Sequence, residues 1–449
     1  MMWLYSVLLT TAVVVSSPWW LTRMLTTDRY REGMRERLGE VPERLRAAVG
    51  AYADKRKVLW VHAVSVGEVL AASRLVAELE TALRRRGERW RIVISTTTRT
   101  GQALARERFG ADRVFYFPLD FERPVKAWLK ALNPAALVLM ESELWPRILH
   151  ECGIKQIPVI VVNARVSDRS FERALRLRRW WEPVLRQVSL WLAQSEEDAR
   201  RLIAMGAEAE NVRTIGNLKY DVHAPKGSKV AELIKQVAAG RPIVVAGSTT
   251  GGESGDPATW EEVAVLQGWR ERDDRTPIQA LLVIAPRHPE RFGAVEAAVL
   301  EFRYALVSKW LARESITDHG NKQREVVVLD TIGDLAAVYG VADVAFVGGS
   351  LVRRGGHNPL EPAQFGVPVV MGPSYENFRD IVSLMQQANA IRIVQDREEL
   401  RSALSELLDS PKVARAMGER GRTVFEKQQG ATWRAIEAIE AILHPGVKP

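Results

Sequence analysis

The chain has 449 residues, 47% hydrophobic and 26% charged, which excludes a disordered polymer and leaves room for two or three folded domains. A single cysteine, Cys152, excludes an internal disulfide framework, as suits a reducing compartment. The formal net charge of +8 points to nucleic acid, anionic lipid or acidic small molecules without choosing among them.

The first stretch, MMWLYSVLLTTAVVVSSPWWLT, carries no charge before Arg23. Its length matches a bilayer core of about 30 Å. No basic residue precedes the apolar run, and Pro18-Trp19-Trp20 stands where a signal peptide has small residues, so residues 1–22 are expected to form an uncleaved membrane-anchor helix. Trp19 and Trp20 then lie at the interface, and Arg23, Arg29, Arg31, Arg35 and Arg37 put the rest of the chain on the cytoplasmic side. A helix lying in the interface is the alternative.

From Lys57 the pattern is α/β. Strands are predicted at Val58 to Ala63, Arg91 to Thr96, Arg113 to Pro118, Ala136 to Glu141, Ile157 to Arg165 and Leu190 to Ser195, mostly separated by helical stretches. This alternation argues for a parallel sheet covered on both faces, with ligands beyond the carboxyl ends of the strands. Charged residues stand at those ends. Glu68 closes Ser65-Val66-Gly67-Glu68 at a helix start, either as a general base or simply as a complement to the helix dipole. Glu141 and Glu143 flank Ser142 and point to the same side if the chain stays extended. Lys219, after the short run Val212 to Ile215, reads as a phosphate or transition-state contact or as a solvated lysine. In Phe171 to Gln187, Arg173, Arg176, Arg178, Arg179 and Arg186 accompany Trp180 and Trp181; this fits an anionic membrane surface, or equally an exposed helix with buried tryptophans. No nucleic-acid module is recognisable.

Asp221 to Ser228 interrupts the pattern with polar, Pro and Gly residues and marks a boundary. A second series of strands follows: Arg241 to Thr249, a run from Ala280 ending before Arg287 and His288, Glu325 to Thr331, a run ending in Gly348-Gly349-Ser350, and Val367 to Pro373. Gly251 to Thr276 reads as an insertion-like loop around a helix. Two such sheets leave a cleft between them. In the second half, strand, glycine loop and a helix opening with Asn358 and Pro359 read as a nucleotide site. Free backbone N–H groups and the helix dipole would hold a phosphate there, and Glu361 the ribose hydroxyls. Packing alone is the plainer role for the same glycines. Arg287 is placed to hold a phosphate bidentately, and Thr331-Ile332-Gly333-Asp334 offers further N–H groups.

The blocks HAVSVGE, ESELWP, VNARVS, AQSEEDARR, GNLKYD, APRHPERF, ADVAFVGGSLVRRGGHNPLEPA and FGVPVVMGP, in this order, resemble those of the 3-deoxy-D-manno-octulosonic acid (Kdo) transferases of lipopolysaccharide synthesis. The resemblance covers nearly the whole chain. It implies an α/β GT-B fold of two Rossmann-like domains facing a central cleft. The expected division is an anchor over 1–22, an acceptor-binding domain over 23–222, a nucleotide-sugar domain over 223–425, and a C-terminal helix over 426–449 packing back on the first. It also implies an inverting transferase that moves Kdo from CMP-Kdo to a lipid A precursor, lipid IVA, at the cytoplasmic side of the inner membrane; no metal-ligand cluster is evident in the residues, and no cofactor is expected. By the same resemblance Glu68 matches the proton acceptor, and Glu141 and Lys219 match residues that stabilise the transition state. Pro286, Arg287, Ile332, Gly333, Asp334, Asn358, Pro359, Leu360 and Glu361 match segments that bind the CMP moiety. Two departures stand out: Thr250 replaces the usual histidine of a GSTHEGEE block, read here from Gly247 to Glu253, and Asp334 replaces a glutamate. A related GT-B enzyme using another nucleotide sugar, and a catalytically idle member that binds CMP or lipid, are the alternatives.

Overall fold

The computed structural model describes residues 2–26, 32–50, 57–221, 228–252, 256–270, 280–312 and 325–444. It divides into two units, Met1–Asp221 with Gly430–Pro449, and Val222–Gln429. The stretch expected to separate two domains falls largely on residues 222–227, outside the described residues.

In the first unit, strands β1 (Lys57–His62), β2 (Trp90–Thr96), β3 (Val114–Tyr116), β4 (Ala136–Met140), β5 (Val159–Ala164), β6 (Leu190–Ala193) and β7 (Val212–Thr214) form one sheet ordered β3-β2-β1-β4-β5-β6-β7. Every pairing is parallel. Parallel strands need crossover helices, which cover both faces, so the strands read as continuous apolar runs. In β1, Val58 and Trp60 enter one core while Leu59 and Val61 enter the other. The helix Val66–Arg85 covers the second face, and the C-terminal helix Ala431–Leu443 packs on it through Ala431, Ala435, Ile436, Ala438 and Ile439.

The second unit repeats the plan with β8 (Ile243–Thr249), β9 (Leu281–Pro286), β10 (Arg303–Leu306), β11 (Glu325–Val328), β12 (Val344–Val347), β13 (Val369–Met371) and β14 (Ile391–Ile393), ordered β10-β11-β9-β8-β12-β13-β14 and again all parallel. The winding direction reverses between β1 and β4 in one unit and between β8 and β12 in the other. Loops on either side of such a reversal diverge and leave a crevice at the carboxyl ends.

The amino end departs from expectation. Residues Met2–Thr26 form a helix, yet among the described residues no helix is long and apolar enough to cross a membrane. Its polar side is used instead for contacts within the first unit. The Tyr5 hydroxyl donates to Asp120 Oδ2 at 2.7 Å, and Arg147 Nη2 donates to Ser6 Oγ at 2.7 Å. The side chains of Trp19, Trp20, Arg23, Arg29 and Arg31 lie outside the described residues.

The C-terminal helix is tied down by a buried carboxylate. Asp221 accepts from the N–H groups of Gly430 at 3.1 Å and Thr432 at 2.9 Å. Burial raises its pKa, but a hydrogen bond from the Thr432 side chain, together with the two N–H groups, outweighs that and holds it below the ordinary aspartate range. Asp221→Ala is expected to cost about 1–3 kcal/mol in urea unfolding, chiefly the penalty for the orphaned buried N–H of Thr432. Because the folded pKa is depressed, the native chain should lose this advantage over the variant as pH falls below the ordinary aspartate range.

Candidate active site

Glu68 sits in the first turn of Val66–Arg85, just past the carboxyl end of β1, and is 6% exposed. Its two oxygens are held separately: Val64 N–H donates to Oε2 at 2.8 Å, and the Ser65 hydroxyl to Oε1 at 2.8 Å. Burial pushes its pKa above the ordinary carboxylate range. The two hydrogen bonds oppose the shift, and the nearby charges of Glu141 and Glu143 add to it. A carboxylate in that state is a stronger base than one in water.

Glu141 follows β4 on the other side of the reversal and pairs with Lys219, whose Nζ lies 2.8 Å from Oε1. The chain is not extended there. Glu141 has φ +57°, and Ser142 is locked to Arg165 by Oγ accepting from its N–H at 3.0 Å. The same-side argument for Glu141 and Glu143 therefore fails, although both charges reach Glu68.

Lys219 is aimed by residues that the sequence reading did not single out. Asn163, fully buried with φ +62°, accepts the Leu218 N–H on Oδ1 at 3.0 Å. Gln194 donates to the Asn163 carbonyl at 2.9 Å and accepts from Asn217 Nδ2 at 2.9 Å, while Asn217 Oδ1 accepts the Lys219 N–H at 2.9 Å. A polar Asn inside the run IPVIVVNAR was the available signal, since a buried strand position is otherwise apolar.

In the second unit, Pro286 ends β9, and Arg287 follows it with its side chain exposed and its N–H donating to Thr249 O at 2.9 Å. Glu361 is raised by burial and lowered in part by the Arg287 charge, which brings these two predicted residues into one field. His357 shares it: burial first, then the charges of Arg287 and His288, lower its pKa to about 4 and leave the ring neutral. Asn358 caps the following turn, its Oδ1 accepting the Leu360 N–H at 3.0 Å. The helix expected there is a single turn, Leu360–Ala363, entered through Pro359. So short a helix has little dipole to offer a phosphate. Gly333 has φ +95°, and Ile332 is 81% exposed. The Asp334 carboxylate is occupied, accepting from the Thr331 hydroxyl of its own loop at 2.7 Å and from the distant Ser228 hydroxyl at 3.4 Å.

The glycine loop differs most from expectation. The N–H groups of Gly349, Ser350 and Leu351 are not free for a phosphate; the Glu261 carboxylate accepts all three. Burial pushes that carboxyl up to about 7, against N–H donors that pull the other way. Neighbouring Glu262, fully buried, accepts from Thr249 Oγ1 at 3.0 Å and from Arg291 Nη2 at 2.8 Å. Glu253, read as the end of the GSTHEGEE-like block, lies outside the described residues.

Two Rossmann-like units of this kind define the GT-B class of fold, and the likeness extends to MurG from Acinetobacter baumannii, with a TM-score of 0.53 at 12% identity over 86% of this chain and 99% of that one. A family model described as 3-deoxy-D-manno-octulosonic-acid transferase (kdotransferase) matches residues 32–222. A 3-deoxy-D-manno-octulosonic acid transferase of Haemophilus influenzae is 32% identical, covering 94% of this chain and 94% of the relative; one of Bordetella pertussis is 34% identical, covering 88% and 90%. The chain belongs to the 3-deoxy-D-manno-octulosonic acid transferase family, and is thus a glycosyltransferase.

Asn163→Val should disturb Lys219 without touching a ligand. A β-branched residue at positive φ and the lost bond from the Leu218 N–H are together expected to cost about 2–4 kcal/mol, read as a lower thermal midpoint with reduced turnover. An unchanged midpoint would remove Asn163 from this role.

Proposed function

We propose that this chain transfers Kdo from CMP-Kdo to a hydroxyl of a lipid A precursor, with inversion at the anomeric carbon and Glu68 as the proton acceptor. The observation that carries this reading is the buried Glu68 carboxylate at the β1–β4 reversal, beside the Glu141–Lys219 pair, in a member of this family. As the acceptor oxygen bonds to the anomeric carbon of Kdo, its proton passes to Glu68. The bond from that carbon to the CMP phosphate oxygen breaks, and the phosphate leaves with the electron pair. Lys219, oriented by Glu141, stabilises negative charge as it develops. In the second unit Arg287 offers a bidentate fork to the CMP phosphate, while Asn358 through Glu361, with Pro286 and Ile332 through Asp334, contact the rest of the nucleotide.

The reaction is assigned to the cytoplasmic side of the inner membrane, where the acceptor is a lipid. Supporting this is the outer face of Met2–Thr26, where Trp3, Leu8, Val14 and Val15 are exposed at helical spacing, opposite Tyr5 and Ser6. A second surface has the same chemistry: Trp180 is half exposed among Arg176, Arg178 and Arg179, while Trp181 packs on the core.

Purified protein supplied with CMP-Kdo and lipid IVA should yield Kdo-lipid product, and Glu68→Gln should lower turnover by roughly two to four orders of magnitude while CMP still binds. Since only ionised Glu68 accepts a proton, kcat/KM should fall as pH drops through its raised pKa, a limb above the ordinary carboxylate range. Near-normal turnover in the variant would remove Glu68 from the mechanism. Replacing Trp3 and Leu8 together by Ala should weaken binding to anionic vesicles by about tenfold, the loss of two apolar anchors. Unchanged binding would exclude this face as the membrane contact.

A further inference from the structure

Among the described residues, Glu261 is a buried carboxylate that the proposed chemistry does not use and that meets the glycine loop. Glu261 opens the helix Glu261–Arg270 and is 1% exposed. Its Oε2 accepts N–H groups from Thr250 at 3.0 Å and Gly349 at 2.6 Å, and its Oε1 from Ser350 and Leu351, each at 2.8 Å. Its own N–H returns a bond to the Thr250 carbonyl at 3.1 Å. Successive N–H groups converging on one anion are what a phosphate-binding nest provides. Here the anion is already part of the chain.

Gly348 supports the same assignment. A Cβ at that position would lie 2.8 Å from Glu261 Oε2, 2.6 Å from Ser248 O and 2.7 Å from Thr249 Cα. This glycine therefore admits the backbone of Ser248 and Thr249 and, beside it, a carboxylate of the protein, where the usual role is to let a ligand phosphate approach the backbone. The loop continues from there under control. Gly356 N–H donates to Gly349 O at 2.7 Å, and His357 N–H to Gly348 O at 3.1 Å. The position of Gly348 and Gly349 thus sets where the segment Asn358–Glu361 begins. Glu261 is itself backed by Glu262, whose ties to Thr249 and Arg291 fix the helix start, and Arg291 lies over the Trp260 ring at 4.4 Å.

We propose that Glu261 is a positioning residue for the donor site: an internal anion that fills the glycine-loop nest, presets Gly348–Leu351, and through those glycine carbonyls fixes the segment that meets the nucleotide. This rests on the reading of Asn358–Glu361 as a donor-binding segment. It follows that the donor phosphate is held by side chains such as Arg287 and not by the amides of Gly349, Ser350 and Leu351.

The isosteric variant Glu261→Gln tests this. An amide has one oxygen, so whichever way it turns, its NH₂ faces two of the four N–H donors. Steady-state kinetics should give a KM for CMP-Kdo raised about tenfold or more, with kcat and acceptor KM within about twofold of the native values. Amide hydrogen exchange at Gly349, Ser350 and Leu351 should quicken in the ligand-free protein, and Glu261→Asp, still an acceptor at both oxygens, should recover part of the donor affinity. If Glu261→Gln does not fold, Glu261→Asp carries the test: it keeps both acceptor oxygens but draws them back by one methylene, and should show a smaller rise in donor KM alone. A donor KM that stays native while exchange quickens would overturn the proposal, as would a uniform loss of kcat, both KM values and thermal stability. Calorimetry with CMP alone separates this from the functional reading. Native protein that binds CMP but transfers no Kdo would sink the transfer reading and leave Glu261 to be judged on CMP affinity. Native protein that binds no CMP would overturn both.

Discussion

Parallel pairing is the constraint from which the rest of this structure follows. When every strand of a sheet runs the same way, each one discharges its chain at the same edge, and a helix must carry it back. All the loops with chemistry in the first unit therefore emerge together: Glu68 after β1, Glu141 after β4 and Lys219 after β7. The reversal of winding between β1 and β4 then parts the two loops that carry the carboxylates, leaving room for a ligand where the sheet itself has none. The second unit repeats the geometry with Arg287 after β9, Thr331 to Asp334 after β11 and the glycine loop after β12.

In each unit, polar groups placed at the rim of dense apolar cores have their charge set first by burial. Glu68 and Glu361 are both raised by desolvation before any neighbour acts. What distinguishes them is the local hydrogen bonding: Glu68 has two donors of its own, whereas Glu361 is moderated chiefly by the Arg287 charge. Lys219 owes its place to the amide side chains of Asn163, Gln194 and Asn217 behind it, two of which hold the N–H groups of Leu218 and Lys219, while its ammonium meets Glu141.

Most of the sheet was legible in the sequence because a strand covered on both faces has to be a continuous apolar run. The exceptions obey the same rule. Arg303–Leu306 and Ile391–Ile393 are the edge strands β10 and β14, and in β14 Arg392 stands exposed, since an edge has a side open to water. The amino end was misread for a related reason. Apolar composition suggested a crossing helix, but hydropathy does not register that Tyr5 and Ser6 bond to Asp120 and Arg147, more than a hundred residues away. The family resemblance, read from ordered blocks, is borne out by relatives at 32% and 34% identity over most of the chain.

By itself the sequence determined the alternation of strand and helix, the parallel α/β class, the family, and the residues to inspect at each strand end. These are local or collinear properties, set by side-chain period, turn chemistry and the order of motifs. Only the tertiary structure decided which groups those residues meet. Asn163 reaches Leu218 across 55 residues, Glu141 reaches Lys219 across 78, and Glu261 reaches Gly349 across 88. A glycine loop read alone offers its N–H groups to a phosphate; in the folded chain a buried carboxylate has taken them first. No periodicity records such a partner, because a hydrogen bond depends on where two distant segments come together in space and not on their spacing along the chain.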